Sequence, residues 1–303
     1  MTSNDPVLVV IPTRDRPSFL AEALASMLAQ TDGDFVAIVA DDGTGEPVER
    51  TPSLPRDPRV SFVRTRAGTA GGARNAGRVH GEERVLGRGA SLVAFLDDDD
   101  LWTPDHLARC RATLAAAPQA LFVHGAATTR GPGGETPYQA RDDGPFDGDV
   151  FAALLRRNFV ATSSVVVRGD ALRAVGAFRE DVSHGEDQAL WLELAHRGPV
   201  AYVPEATVVY RDHEGNISHR LVEKARTQAE VYAAWWPRRS RLDAPTQRLL
   251  RRETARRHRR YVKRLLLEGS MPRRAVRALA RRRFLEVPHL DTLRAVLEAT
   301  WPF

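Results

Sequence analysis

Four apolar runs of four to six residues limit what this chain can fold into. Val7 to Ile11, Phe35 to Ala40, Val60 to Val63 and Leu92 to Leu96 are rich in β-branched residues and bounded by turn formers, so they read as buried strands. Between the first two, Leu20, Leu24, Met27 and Leu28 recur at helical spacing behind Pro17, a residue suited to a first helical turn, and the segment closes near Asp32-Gly33. Strand, helix, strand in that order gives a right-handed βαβ unit. A helix through Gly71 to Val79 and another opening at Thr103-Pro104 continue the alternation. The expected fold class is therefore α/β, a Rossmann-like, mostly parallel open sheet flanked by helices.

Past a loop at Gly131 to Gly134, the pattern predicts a helix over 150–157, a strand over 163–167, helices over 170–175 and 187–195, and two short strands around 200–203 and 207–210. From about Leu221 it is helical and Arg-rich, broken at Pro237, Gly269 and Pro288. The division expected is a sheet domain over residues 1–220 and a helical C-terminal extension over 221–303. With 303 residues, 43% of them hydrophobic, the chain can bury one large core or a main domain and a smaller one. The longest strictly aliphatic run, Val7 to Ile11, is far too short to span a bilayer, and the first residues lack a charged and apolar signal pattern. A cytoplasmic location is expected.

Charge is divided sharply. Residues 219–303 hold 22 Lys and Arg against eight Asp and Glu, whereas residues 1–218 hold 22 against 31. A basic tail of this kind suits nucleic acid, an acidic membrane surface or nothing more than a solvated helix face. Cys110 is the sole cysteine, which excludes an intrachain disulfide, a CxxC pair and a cysteine-based zinc cluster. Any metal must take oxygen or histidine ligands, which makes Mn²⁺ or Mg²⁺ the candidates.

In open α/β sheets, ligands lie beyond the carboxyl ends of the strands. Here that edge is acidic: the first strand runs into Pro12-Thr13-Arg14-Asp15-Arg16, the second into Asp41-Asp42-Gly43 and the fourth into Asp97-Asp98-Asp99-Asp100. Four consecutive carboxylates repel one another unless a cation neutralises them. Alternation along extended chain puts Asp97 and Asp99 on one face, a D-x-D pair of the kind that holds a metal and phosphates. The bland alternative is a solvated acidic turn. Glu186-Asp187 stands before a helix carrying Leu190 and Leu194, and on its own this pair reads as ordinary N-terminal helix capping.

In sequence order, Val10-Ile11-Pro12-Thr13, Leu28-Ala29-Gln30-Thr31, Val39-Ala40-Asp41-Asp42-Gly43, Gly71-Gly72-Ala73-Arg74-Asn75-Ala76-Gly77 and Phe95-Leu96-Asp97-Asp98-Asp99-Asp100-Leu101-Trp102 resemble the motifs of inverting glycosyltransferases of family 2, whose nucleotide-sugar-binding fold is called GT-A. Gly176-Ala177-Phe178, Gly185-Glu186-Asp187-Gln188-Ala189-Leu190-Trp191 and Tyr210-Arg211-Asp212-His213-Glu214-Gly215-Asn216-Ile217-Ser218 extend the resemblance, which covers roughly residues 7–220. It implies a metal-dependent, non-processive transfer of a sugar from a nucleoside diphosphate donor, UDP-linked by preference, to a hydroxyl of a glycan, metabolite, lipid or protein.

The resemblance also implies roles for individual residues. Asp42 would accept a hydrogen bond from the base, in a pocket walled by Pro12, Thr13 and Arg14. Arg74 would face the diphosphate or the aspartates, because its planar fork suits either. Asp97 and Asp98 fall to the nucleotide sugar, and Asp99 and His213 to the metal. Asp187 would be the general base and Glu186 an acceptor-binding residue. Trp191 would stack on an acceptor sugar, although beside Leu190 and Leu194 it equally suits the core.

Two departures from the family pattern touch donor choice: Arg14 stands where an aromatic residue is common and Asp15 where Asn is common. No Gln-x-x-Arg-Trp signature of processive synthases is present. Two other readings remain. One is a sugar nucleotidyltransferase, although Pro12 to Asp15 is unlike the Gly-rich phosphate loop of that class. The other is a basic nucleic-acid-binding or membrane-surface-binding module on an inactive GT-A-like domain. Through the tail, peripheral contact at the inner membrane surface is a further expectation.

Overall fold

Every residue of β1 (Val7–Thr13) is buried, so this strand lacks the polar alternation of a half-exposed one. The computed structural model describes residues 5–138, 146–213, 221–269 and 271–300. Behind β1, α1 (Pro17–Leu28) starts on its proline and buries Leu20, Ala23, Leu24 and Met27. β2 (Phe35–Asp41) lies parallel to β1, and β3 (Val60–Arg64) parallel to β2. The chain returns through α2 (Ala70–His80), capped by Thr69, whose side chain accepts from the Gly72 amide at 3.1 Å. α2 packs so closely on the sheet that a Cβ at Gly77 would stand 2.7 Å from Val10 Cγ1, which explains the glycine there. β4 (Leu92–Phe95) then joins the other side of β1, also parallel. β1, β2 and β4 therefore end at one edge.

Beyond β4 come β5 (Leu101–Trp102), α3 (His106–Ala116), β6 (Phe122–Gly131), β7 (Gly134–Pro137), α4 (Phe151–Arg156), β8 (Val165–Arg168), α5 (Gly169–Val175), α6 (Glu186–Ala195) and β9 (Val200–Arg211). The sheet order is β3-β2-β1-β4-β8-β6-β9-β5, with β7 paired to β6. The parallel arrangement anticipated holds through β1 to β4, and the other half is mixed. There β8 runs antiparallel to β4 and β6, β9 parallel to β6, and β5 antiparallel to β9. The two short strands expected around 200–203 and 207–210 are one strand, β9. Its register against β6 jumps from Gly125↔Val203 to Ala126↔Ala206, so Pro204 and Glu205 bulge out without ending the strand.

Two buried histidines mark this half. His106 stacks on Trp102 with ring centroids 4.4 Å apart and shares a 2.9 Å hydrogen bond with Thr207 Oγ1, while His124 Nε2 lies 2.8 Å from the Phe146 carbonyl. Burial lowers their pKa values to about 3 and about 4 from 6.5. The unfolded chain therefore binds more protons below pH 6.5, and the stability these neutral rings contribute is lost as pH falls from there toward about 4. Calorimetric melting across that window should show the midpoint of the native protein dropping relative to that of His106→Gln as pH falls. Equal slopes would contradict the burial of a neutral ring.

By internal contacts the chain divides into two compact units. The first comprises Met1–Ala153, Phe159–Asp181 and Ala189–His213, and the second Leu154–Asn158, Val182–Gln188 and Glu214–Phe303. The second unit is thus more than the tail, because two short segments from the preceding chain belong to it. Its helices are α7 (Leu221–Trp235), α8 (Ala244–Glu268), α9 (Arg273–Glu286) and α10 (Leu290–Thr300). Asp243 caps α8 by accepting from the Thr246 amide at 2.7 Å, and Gly269 ends it in the left-handed conformation at φ 64°. Val262 and Leu265 of α8 pack with Val276 and Ala280 of α9 and Ala295 and Ala299 of α10. Among the described residues, no helix is long and apolar enough to cross a membrane.

Candidate active site

The fourth strand delivers its aspartates with alternating exposure. Asp98 and Asp100 are buried, whereas the Asp97 and Asp99 side chains keep 27% and 15% of their surface open. Thr13, at the end of β1, donates its hydroxyl to Asp98 Oδ2 at 2.7 Å. Ser163 donates to Asp100 Oδ2 at 2.6 Å and accepts from the Asp97 amide at 3.0 Å, which fixes the turn. Burial pushes the Asp98 carboxyl up to about 7, against the pull of the Arg16 guanidinium and helped by Asp99. Burial also raises Asp100 well above the usual carboxylate range, with Asp97 and Asp99 adding repulsion.

Cations answer this cluster from three elements. Arg74, buried in α2, places Nη2 at 2.6 Å from Asp97 Oδ1, with its guanidinium 5.1 Å from the Phe178 ring centroid. The aspartate is one of the two partners that the family resemblance allows. Arg16, just before α1, bridges Asp98 Oδ1 at 3.0 Å and Asp99 Oδ2 at 2.6 Å. Burial opposes its charge, but Asp98 and Asp99 outweigh that cost and its pKa is raised. Arg211, in the last position of β9, donates from Nε to the Asp99 carbonyl, from its backbone amide to Asp100 Oδ1 at 3.3 Å and from Nη1 to Glu22 at 2.7 Å.

His213 follows two residues later. Its Nε2 lies 3.2 Å from Asp99 Oδ2 and its ring stacks on Phe19 with centroids 4.6 Å apart. Asp99 and His213, the two residues expected at a metal, therefore converge on one point. Among the described residues, no group of three His, Cys, Asp or Glu side chains is arranged to hold a metal ion. Asp99 and His213 suit a hard cation that takes most of its oxygens from a bound ligand. The remainder of the predicted motif, residues 214–218, lies outside the described residues.

At the end of β2, Asp42 accepts from Thr65 Oγ1 at 2.8 Å, from the Ala67 amide at 2.6 Å and from the Gly68 amide at 3.0 Å, so it pins the loop before α2. Arg14 Nη1 stands 3.9 Å from it with about half of its side chain exposed, while Pro12 is buried. Asp15 adopts φ 55°, a left-handed conformation that Asp and Asn enter more readily than other side chains. Backbone geometry thus accounts for Asp at a position where Asn is common. In the second unit, Asp187 in the first turn of α6 accepts from Asn158 Nδ2 at 2.8 Å and from the Gln188 amide at 2.6 Å. Glu186 precedes it and is buried.

Two expectations are corrected. Trp191 is 0% exposed, with its ring 5.4 Å from Phe122 and 6.1 Å from Phe178, so it is a core residue and presents no face to an acceptor. Asp98 is 1% exposed and spent on Thr13 and Arg16, so it supports the turn and is not open to a nucleotide sugar. Trp191→Ala should cost about 3–5 kcal/mol of stability in denaturant titration, as large aromatic truncations in a core do. A variant of unchanged stability with weakened acceptor binding would restore the stacking role.

Sequence reasoning missed Arg16, Phe19, Asn158, Ser163 and Arg211 as parts of these arrangements. Arg16 and Arg211 sit inside quoted motifs, and an acid cluster calling for counter-charge was the available signal. Ser163 and Asn158 carry none.

Comparison with known proteins fits this geometry. The glycosyl transferase family 2 pattern matches residues 8–173, and that of glycosyl transferase family group 2 matches residues 92–280. The chain belongs to glycosyl transferase family 2 and has the GT-A fold. It is 41% identical over 103 residues to the succinoglycan biosynthesis protein ExoW of Rhizobium meliloti, covering 33% of this chain and 31% of the relative. An uncharacterized glycosyltransferase of Rickettsia felis is 25% identical over 195 residues, 64% of this chain and again 31% of the relative. The chain thus spans about a third of the length of these relatives. Among solved structures, S. aureus TarS 1-349 in complex with UDP-GlcNAc superposes with a TM-score of 0.65 at 16% identity, over 97% of this chain and 89% of that one. The mannosyltransferase PcManGT of Pyrobaculum calidifontis, in complex with GDP-Man and Mn²⁺, gives 0.57 at 17% identity, over 99% and 88%.

Proposed function

We propose that the chain transfers a sugar from a nucleoside diphosphate sugar, UDP-linked by preference, to an acceptor hydroxyl by one displacement that inverts the anomeric centre. The observation that carries this reading is the convergence of Asp99 and His213 beside the Arg74–Asp97 pair, at the edge where β1, β2 and β4 end. Complexes of fold neighbours with UDP-GlcNAc and with GDP-Man and Mn²⁺ support a nucleotide-sugar ligand.

In this account Asp42 and Arg14 border the base, and Arg74 neutralises Asp97 so that a diphosphate can approach an otherwise repulsive edge. Asp99 and His213 would hold Mn²⁺ or Mg²⁺, which when bound stabilises the negative charge developing on the departing nucleoside diphosphate. Asp187 takes the proton of the attacking hydroxyl, with its carboxylate oriented by Asn158 and the Gln188 amide. The acceptor oxygen bonds to the anomeric carbon as the bond from that carbon to the phosphate oxygen breaks, and the nucleoside diphosphate carries the electron pair away. Glu186 is assigned to acceptor binding.

The test is nucleoside diphosphate release from UDP-, GDP- and dTDP-sugars with a panel of glycan, lipid and small hydroxyl acceptors, with and without Mn²⁺. Release that requires both acceptor and metal, with the product anomer inverted by NMR, is the expected result. A retained anomer would exclude single displacement, and metal-independent transfer would remove the cation from the account.

A further inference from the structure

One end of the helical unit carries a surface for which sugar transfer has no use. After α7 the chain makes a short 3-10 segment, Trp236–Arg241. In it Arg238 lies over the Trp235 ring at 5.1 Å and Arg239 over the Trp236 ring at 4.6 Å. Arg238, Arg239 and Arg241 are exposed, as are Arg248, Arg251 and Arg252 in the first part of α8. Asp243 is the sole acid from Trp236 to Arg251, and it is engaged as the cap of α8, while Arg252 has Glu253 at 3.4 Å. Arg251 Nε donates to the Pro288 carbonyl at 2.8 Å, which ties this basic stretch to the turn between α9 and α10.

Leucines stand in solvent on both sides of that turn. Leu285 is 79% exposed and Leu290 58%, and Leu293 and Leu297 continue the exposed stripe at helical spacing while Thr292, Ala295 and Ala299 are buried. A merely solvated helix face has no need of exposed leucines. A nucleic-acid surface uses arginines against phosphates and gains little from aliphatic side chains. A bilayer interface takes both kinds of exposed group, guanidinium at lipid phosphate and leucine in the acyl boundary, while the buried Trp235 and half-buried Trp236 back the arginines.

We propose that this end of the helical unit docks on an anionic lipid surface, with the Arg238 to Arg252 series against the phosphates and Leu285 and Leu290 inserted below them. The contact is independent of whether the chain transfers a sugar.

The test is co-sedimentation of the full chain with vesicles of phosphatidylcholine alone and of phosphatidylcholine mixed with phosphatidylglycerol. Binding to the mixed vesicles only, weakened about tenfold between roughly 0.05 and 0.5 M salt, is the expected result. A Leu285→Glu, Leu290→Glu double variant and an Arg238→Glu, Arg239→Glu double variant should each lose about tenfold or more in vesicle affinity while melting like the native protein. If the leucine pair melts early, Leu285→Gln supplies the same comparison. No binding to anionic vesicles at low salt would overturn the proposal. So would leucine variants that bind as the native chain does, or displacement of the protein from vesicles by a duplex oligonucleotide that the leucine variants bind equally well. A dimer in light scattering that the leucine changes dissociate would assign the stripe to a second copy instead.

Discussion

Asp187→Asn is expected to lower transfer by about 10²–10⁴-fold, the usual contribution of a positioned general base. The change keeps the size of the side chain, and its one carbonyl oxygen can accept from the Gln188 amide or from Asn158, so the variant gives up one of the two hydrogen bonds the carboxylate accepts. What is lost is the capacity to take a proton. Nucleotide affinity should stay near the native value, because the role proposed for Asp187 is toward the acceptor hydroxyl and not toward the nucleotide. Single-turnover kinetics with equilibrium nucleotide titration reads both quantities. Native transfer rates in this variant would remove Asp187 as the base, and a parallel loss of nucleotide binding would show a structural role.

Asp99→Asn should do the opposite and remove metal-dependent nucleotide binding, with a loss on the order of 10²-fold. Asp99 receives both the His213 ring and one arm of Arg16, so neutralising it removes a carboxylate that faces the imidazole. Arg16 keeps Asp98 as a partner at 3.0 Å, which should limit the cost to the fold. Calorimetric titration of UDP with and without Mn²⁺ is the measurement. Unchanged metal-dependent affinity would exclude Asp99 as a ligand.

The parts of this protein legible in its sequence are those where one physical demand sets a run of residues. β1, β2 and β4 are buried on both faces and therefore read as unbroken aliphatic runs, and each gives way to polar or acidic residues where it leaves the sheet. The end of α8 was legible through Gly269. β6 was not, because Phe122–Gly131 starts in the core and finishes among half-exposed threonines, so no single period runs through it.

The acid cluster announced itself, but its neutralisation did not. Arg211 meets Asp99 across 112 residues of chain and Ser163 meets Asp100 across 63, distances over which local spacing carries no signal. Trp191 failed for a different reason. On a helix buried on more than one side, a tryptophan beside leucines has the same pattern whether it faces a ligand or the core, and Phe122 and Phe178 decide the matter from distant segments.

The central claim, that the edge formed by β1, β2 and β4 is a nucleotide-sugar site, is tested most directly by thermal unfolding with UDP, dTDP, GDP and ADP, each with and without Mn²⁺. A ligand at about 100 times its dissociation constant adds roughly 2.7 kcal/mol, a shift of several degrees. The account predicts that one nucleotide, UDP by preference, raises the midpoint only with metal, and that Asp99→Asn abolishes the shift. No shift with any saturating nucleotide would contradict it and leave the aspartate cluster as structure alone.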